Sequence, residues 1–496
     1  MSEFDIQRQQ RLEKISALRQ KGINPYPNDF RPSLRIPEVL EKYHDCRDES
    51  PSDESLAIAG RLLAIRGHGK TCFAHLWAEG ARIQIYVRKD SLGEGIFAQF
   101  KDLDLGDLIG VEGKIFRTRT GELTLMIEGF RLLAKSLRPL PEKWHGLKDI
   151  ETRYRQRYLD LFTNPETRDI FLLRSRVISF IRRFFDRMGF TEVETPMMQA
   201  IPGGATARPF KTYHNALDRD LYLRIAPELY LKRLVVGGFD RVYELNRNFR
   251  NEGLSTEHNP EFTMLEFYMA YADYRDLIRF TETLFCEMAK EIKGGLAWEY
   301  QGNMIDFSPP WSCMSVSEAV LKYTDLKETD LEDQSILVRK IKAEDMLADV
   351  PLSGKEGCGK LLMKIFEAMV EPHLIQPTFI IDFPKEVSPL ARSKDSLPEI
   401  VERFELYVAG REIANAFSEL NDPVDQKERF LLQMEDAEAE GMVRRVDEDY
   451  IQALEYGLPP TAGEGIGIDR LIMIFANASS IREVILFPQL REIQRP

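Results

Sequence analysis

Cysteine is scarce and scattered in this chain, and that excludes two structural classes. Five cysteines, at 46, 72, 286, 313 and 358, are spread over 496 residues without a Cys-x-x-Cys pair. They read as reduced thiols rather than as a disulfide framework or a zinc site. Long apolar runs are missing too, so no membrane span and no membrane partner are expected. The first residues, MSEFDIQRQQRLEKI, lack the apolar centre of a signal peptide, which predicts a cytoplasmic protein. No internal repeat or low-complexity tract occurs. Positive charge is in deficit: 67 Lys and Arg against 80 Asp and Glu leave a net −13, which at first argues against a nucleic-acid partner. The deficit is uneven. Residues 1–140 hold 22 basic against 20 acidic side chains, while the remainder holds 45 against 60. A near-neutral N-terminal part can still bind RNA through local basic faces, because steering depends on where the charge sits.

The length leaves room for about three domains. Residues 1–55 form an N-terminal helical extension, in which Ile6, Leu12, Ile15 and Leu18 recur near helical spacing before Gly22 and Pro25 end the pattern. Residues 56–138 carry five short strand patterns: LAIAGRLLAIR, CFAHLW, RIQIYVR, DLIGVEGKIFR and ELTLMIEGFRLLA. A helix candidate, SLGEGIFAQFKDL, follows the third, the arrangement of an OB-fold β-barrel. Pro139 and Pro141 open a linker over 139–165. Residues 166–496 mix helices with strands that pair as hairpins, which favours an α+β domain on an antiparallel sheet with flanking helices. Alternating apolar and acidic positions near 312–371 predict a helical insertion within it.

Two stretches imitate a phosphate loop. AIRGHGKT at 64–71 puts Ala64 in the first glycine position, and GKEGCGKL at 354–361 puts Leu361 where a hydroxyl must hold magnesium. A working loop needs a strand before it and a helix after it. The first is followed by a strand pattern and the second follows a helical one, so both are expected to be turns or loops.

A hairpin at 241–270 is more informative. Its strands flank the polar loop NEGLSTEHNP, and residues of one parity share a face. Phe262, Met264, Glu266 and Tyr268 line up on one strand; Glu244, Asn246, Asn248 and Arg250 line up on the other. Taken alone, this surface is equally a solvated sheet face with incidental charges. A second hairpin, FELYVAGREIANAF, turns at Ala409-Gly410. Tyr407 then lies opposite Glu412, with Glu405 on the diagonal, about 7–8 Å away. Two carboxylates with no Arg between them invite a bridging cation, and Mg²⁺ takes one or two carboxylates plus phosphate oxygens; two exposed glutamates are the plain alternative.

Three further stretches occur in a fixed order: GFTEVETP at 189–196, FRNE at 249–252 and GIGIDR at 465–470. They resemble the three signature motifs of class II aminoacyl-tRNA synthetases, and the residues between them resemble the bacterial type of lysyl-tRNA synthetase. That resemblance implies ATP-dependent activation of L-lysine to lysyl-adenylate, then transfer to the 3′ end of tRNA(Lys). It implies that Arg250 binds the α-phosphate, that Phe262 and Arg470 sandwich adenine, and that Glu252 and His258 contact ATP. An aromatic face and a planar guanidinium suit a purine. Arg250 and Arg470 are the expected catalytic residues, neutralising charge as pyrophosphate leaves. Glu405 and Glu412 are implied ligands of Mg²⁺, up to three ions with ATP.

The amino-acid pocket has an independent reading. Glu228, Glu266 and Glu419 supply carboxylates with no spare cation, and a buried ammonium without a counter-charge costs several kcal/mol. Such a pocket selects lysine and disfavours the aspartate and asparagine members of the group. The resemblance gives Glu419 and Tyr268 to the ε-ammonium, Glu228 and the Gly204 backbone to the α-amino group, and Asn415 to the carboxylate. Glu412 and Glu419 are seven apart, so a regular strand would put them on opposite faces; a bulge between them is expected. The OB domain resembles the family's anticodon-binding module, with Phe73 and Gln84 in the base-reading positions; a barrel-core phenylalanine is the alternative for Phe73. Motif one implies a homodimer.

Departures from the family pattern are few. Gly129 stands where a third anticodon-reading glutamate is usual, with Glu128 one residue earlier. Glu257 replaces an Arg before His-Asn-Pro-Glu, and Glu464 replaces an apolar residue in motif three. A relative that modifies a protein lysine would lack the OB module. A catalytically dead RNA-binding relative would be expected to have lost the motif arginines, which are intact.

Overall fold

The computed structural model describes residues 3–492 apart from 48, 142–146, 206, 344–351, 353, 355 and 440–444. The chain divides into two compact units, Met1–Arg168 and Asp169–Pro496.

In the first unit, α1 (Glu3–Gln20) uses only part of its expected apolar stripe: Ile15 is buried and Ile6 is exposed. Arg11 fastens it instead, donating to the Ser136 and Arg138 carbonyls at 2.8 and 3.1 Å. Strands β1 (Ser55–His68), β2 (Thr71–Ala78), β3 (Ala81–Arg88), β4 (Leu108–Arg117) and β5 (Leu123–Ala134) close into a barrel in the order β1-β2-β3-β5-β4. Period-two alternation sends Cys72, Ala74 and Leu76 inward and leaves Phe73 outside. The expected helix between the third and fourth strands is two short ones, Lys89–Leu92 and Glu94–Lys101, which put Leu92, Phe97 and Phe100 into the barrel core. AIRGHGKT is the β1–β2 turn. The expected linker holds two short helices, Ile150–Arg155 and Arg157–Thr163. Their buried Asp160 accepts from Arg153 at 2.8 Å and from Arg157 at 2.6 Å, which ties the two helices together.

The second unit is built on a nine-stranded sheet. After α2 (Pro165–Arg187) come β6 (Thr191–Glu192), α3 (Glu228–Val236), β7 (Arg241–Phe249), β8 (Glu261–Ala270) and α4 (Tyr274–Lys293). Further along lie β9 (Ser312–Ser315), α5 (Cys358–Met369), β10 (Thr378–Pro384), β11 (Leu397–Val408), β12 (Arg411–Ser418), β13 (Thr461–Gly467) and α6 (Ile468–Ala476). The sheet runs β9-β10-β11-β12-β13-β8-β7-β6, with Ser393–Lys394 paired to β11. It is mixed rather than wholly antiparallel, because β6 runs parallel to β7 at one edge and β9 parallel to β10 at the other. The helical insertion therefore starts later than its pattern suggests: Ser312–Ser315 alternates too briefly to betray an edge strand. GKEGCGKL is also corrected, since its end opens α5. The amides of Gly357 and Lys360 there bond the Glu386 carboxylate at 2.9 and 3.2 Å, so a side chain already fills the anion position.

Sheet parity places the site. Leu265 and Phe267 of β8, Ala414 and Ala416 of β12, and Ala462 and Ile466 of β13 enter one core with residues of α2, α4 and α6. The residues between them face the other way, and among these Gly463, Gly465 and Gly467 leave the surface unobstructed by side chains.

Candidate active site

Across the β7–β8 pair, Glu244 lies opposite Glu266, Asn246 opposite Met264 and Asn248 opposite Phe262. The shared face expected from parity is therefore assembled. A cavity of about 690 Å³ opens over it, lined by Gly204, Glu228, Arg250, Glu252, His258, Phe262, Glu266, Tyr268, Glu405, Glu412, Asn415 and Arg470. Glu419 is not among the lining residues; it sits behind Gly463, whose missing side chain leaves room for the Glu419 carboxylate and the Tyr268 ring.

At one end of the cavity, the Arg250 guanidinium lies 5.1 Å from the Phe262 ring centre. Burial lowers its pKa, and its Nε has no protein partner. A planar cation over an aromatic face, part of its donor set unused, is ready for an anion. Arg470 donates to the Glu412 carbonyl at 2.8 Å and approaches His258 Nε2 at 3.4 Å. Burial, and then the Arg470 charge, lower the His258 pKa. Arg411 pairs with Glu257 at 2.8 Å, which accounts locally for the inverted charge at that position.

The β11–β12 hairpin turns at Ala409-Gly410 with φ of 55° and 69°, the geometry of a tight two-residue turn. Tyr407 faces Glu412 and Glu405 faces Asn415, with a register shift between Leu406 and Tyr407. That shift takes up Ile413 and brings Glu412 and the strand end carrying Glu419 toward the same side, as the parity conflict requires. Sequence reasoning missed Arg403, which pairs with Glu405. It donates to Glu405 at 2.5 Å and to the Asn415 side-chain oxygen Oδ1 at 3.1 Å. With that oxygen occupied, the Asn415 amide N–H groups are left as donors. Burial still pushes Glu405 up to about 7, against the pull of Arg403 and with the Glu412 charge adding to it.

Sequence reasoning also missed a cation here, one that is present but not spare. Lys232 is fully buried, with its ammonium 2.7 Å from Glu228 and 2.7 Å from Glu419. Its spacing four residues after Glu228 on α3 is the one sequence signal for it. Two of the three buried carboxylates, Glu228 and Glu419, share this cation, and burial pushes both Glu266 and Glu419 up to about 8. Tyr268 donates to Glu266 at 2.8 Å, while Glu419 Oε1 is buried without any partner. An ordered carboxylate oxygen kept dry and unbonded costs free energy until a donor arrives.

In the first unit, Phe73 is 37% exposed and stacks on Tyr86 with ring centres 4.7 Å apart, so it is not barrel core. Gln84 is buried and donates to Thr124 at 2.8 Å. Tyr86, unnoticed in the sequence, enlarges the aromatic surface.

A family model described as tRNA synthetases class II (D, K and N) matches residues 149–491. This chain belongs to that family. A model described as an OB-fold nucleic acid binding domain matches residues 56–133. Among its relatives, the lysine–tRNA ligase of Carboxydothermus hydrogenoformans is 54% identical over 97% of each chain. The lysine–tRNA ligase of Magnetococcus marinus is 53% identical over 97% of this class II chain and 96% of its own. That of Legionella pneumophila strain Lens is 53% identical over 97% of both. No described helix is long and apolar enough to cross a membrane.

Proposed function

We propose that this class II synthetase is an ATP-dependent lysine–tRNA ligase. The carrying observation is the buried, unpartnered oxygen of Glu419 beside Tyr268, just behind a pocket lined by Glu228 and Glu266. An ammonium group is what this oxygen lacks. The pocket's cations, Lys232 and Arg403, are already paired with carboxylates, which disfavours an anionic aspartate side chain.

In this reading the substrate carboxylate attacks the α-phosphorus of ATP. A C–O–P linkage forms, the bond to pyrophosphate breaks, and no protein base is needed. Arg250 and Arg470 hold the charge that develops, with adenine against Phe262 and with Glu252 and His258 at the nucleotide. Glu228 and Gly204 take the α-amino group, Asn415 the carboxylate, and Glu419 with Tyr268 the ε-ammonium. Among the described residues no cluster of three metal-ligating side chains occurs. The two carboxylates, Glu405 and Glu412, still fit Mg²⁺, which completes its shell with phosphate oxygens and water. Bound there, the ions would compensate the triphosphate charge. In the second step the adenylate's acyl group passes to the tRNA 3′ hydroxyl and AMP leaves. Phe73 and Gln84 read the anticodon of tRNA(Lys), motif one forms a homodimer interface, and the protein works in the cytoplasm. Amino-acid-dependent ATP–pyrophosphate exchange without tRNA tests the core of this reading. Lysine alone should stimulate it; preference for aspartate or asparagine, or no exchange at all, overturns it.

A further inference from the structure

Lys232 is placed where a structural ion pair alone would not need it. It follows Glu228 by one turn of α3, yet its ammonium also reaches Glu419, 187 residues further along, and both donations are 2.7 Å long. The rings of Tyr450 and Phe417 stand 5.5 and 5.9 Å from it, so the charge is held in a fixed aromatic setting. It uses one oxygen of each carboxylate. The second oxygen of Glu228, Oε2, is turned toward Gly204, where an added Cβ would lie 3.5 Å away. The second oxygen of Glu419, Oε1, is turned toward Gly463 and has no partner. One residue thus ties together the carboxylates proposed to receive the two amines of the substrate.

The geometry points to Lys232 as a specificity-determining positioning residue: by bridging Glu228 and Glu419 it fixes the separation of the two carboxylate oxygens left for ligand ammonium groups, and so the length of diamine accepted. This rests on the lysine-activating reading given above. Charge balance supports it. Glu228, Glu266 and Glu419 meet one resident cation, and the two ammonium groups of a ligand offset the negative charge left among them. Without Lys232 the two carboxylates would repel and separate, and the span they offer would loosen. The ligand class is a free α,ω-diamino acid, and the discrimination is between chains differing by one methylene.

The test compares lysine- and ornithine-dependent pyrophosphate exchange in the full-length wild type, Lys232→Met and Lys232→Ala. Lys232→Met should raise the lysine KM about 30-fold or more, the usual effect of removing one partner from a buried charge pair. The KM for ATP should stay within about twofold of wild type, since no nucleotide contact is lost. The preference for lysine over ornithine should fall. In Lys232→Ala, added n-propylammonium should restore lysine KM, and propan-1-ol should not. An unchanged lysine-to-ornithine ratio, or equal losses for lysine and ATP with no rescue by the amine, overturns the inference. If Lys232→Met does not fold, Lys232→Arg reports instead. It keeps the charge but forks its donors, so the ratio must still fall, and an unchanged ratio is a failure. A wild type without lysine-dependent exchange overturns the functional reading itself, a result distinct from any of these.

Discussion

Arg403 holds one oxygen of Glu405 at 2.5 Å, and Tyr407 donates to the other at 2.6 Å. Glu405 is therefore held in place before any cation arrives, whereas Glu412 has a 3.5 Å approach from Arg470 and a more exposed side chain. Glu405→Ala and Glu412→Ala should each abolish adenylate formation, because losing a metal ligand removes charge compensation from the phosphates. Glu412→Ala should be the more severe. Pyrophosphate exchange across a magnesium titration checks this, and full activity in either variant would refute the pairing.

Glu419→Gln removes the counter-charge proposed for the ε-ammonium while leaving the proposed nucleotide contacts in place. Lysine KM should rise far more than ATP KM. Equal losses would count against placing the ε-ammonium there.

Lysine binding should depend on pH in a definite direction. In the free pocket burial holds Glu266 and Glu419 up at about 8, so below that pH both are largely protonated. Ammonium groups favour their ionised forms, so binding must expel protons. The kcat/KM for lysine should climb from pH 6 to about 8 and then flatten, while that for ATP should not share this rise. A flat lysine profile over the same range would contradict the carboxylate pocket.

Phe73 lies in the first unit, while every residue assigned to activation lies in the second. Phe73→Ala should leave pyrophosphate exchange near wild type and weaken aminoacylation. Loss of one base stack is worth about 1–3 kcal/mol, so roughly a ten- to hundredfold fall in efficiency is expected. Its exposure predicts little change in melting temperature; a core phenylalanine would cost about 3–5 kcal/mol. A destabilised variant that charges tRNA normally would return Phe73 to a packing role.

Glu464 faces the core behind motif three, where Thr281 donates to it at 2.6 Å and its other oxygen has no partner. Burial pushes it up to about 8, against an ordinary 4.5 in the unfolded chain. The folded state therefore binds more protons between these values, and the group's contribution to stability falls as pH rises through that window. At pH 8 the cost is on the order of 4 kcal/mol, at about 1.4 kcal/mol per pKa unit. Glu464→Leu should raise the melting temperature, and more at pH 8 than at pH 6. Melts with no pH-dependent difference between variant and wild type would refute this.

Much of the site was legible because strand periodicity is local. Parity alone grouped Phe262, Met264, Glu266 and Tyr268, and the seven-residue interval between Glu412 and Glu419 demanded the bulge that lies at Ile413. Turn chemistry at Ala409-Gly410 set which residues meet across that hairpin. Only the tertiary structure brought Lys232 between Glu228 and Glu419, or showed that Arg403 serves both Glu405 and Asn415. In each case one partner, Glu419 or Asn415, comes from a different element. Helix and strand periods say which side of an element a charge occupies, but the packing of one element on another decides which opposite charge it meets.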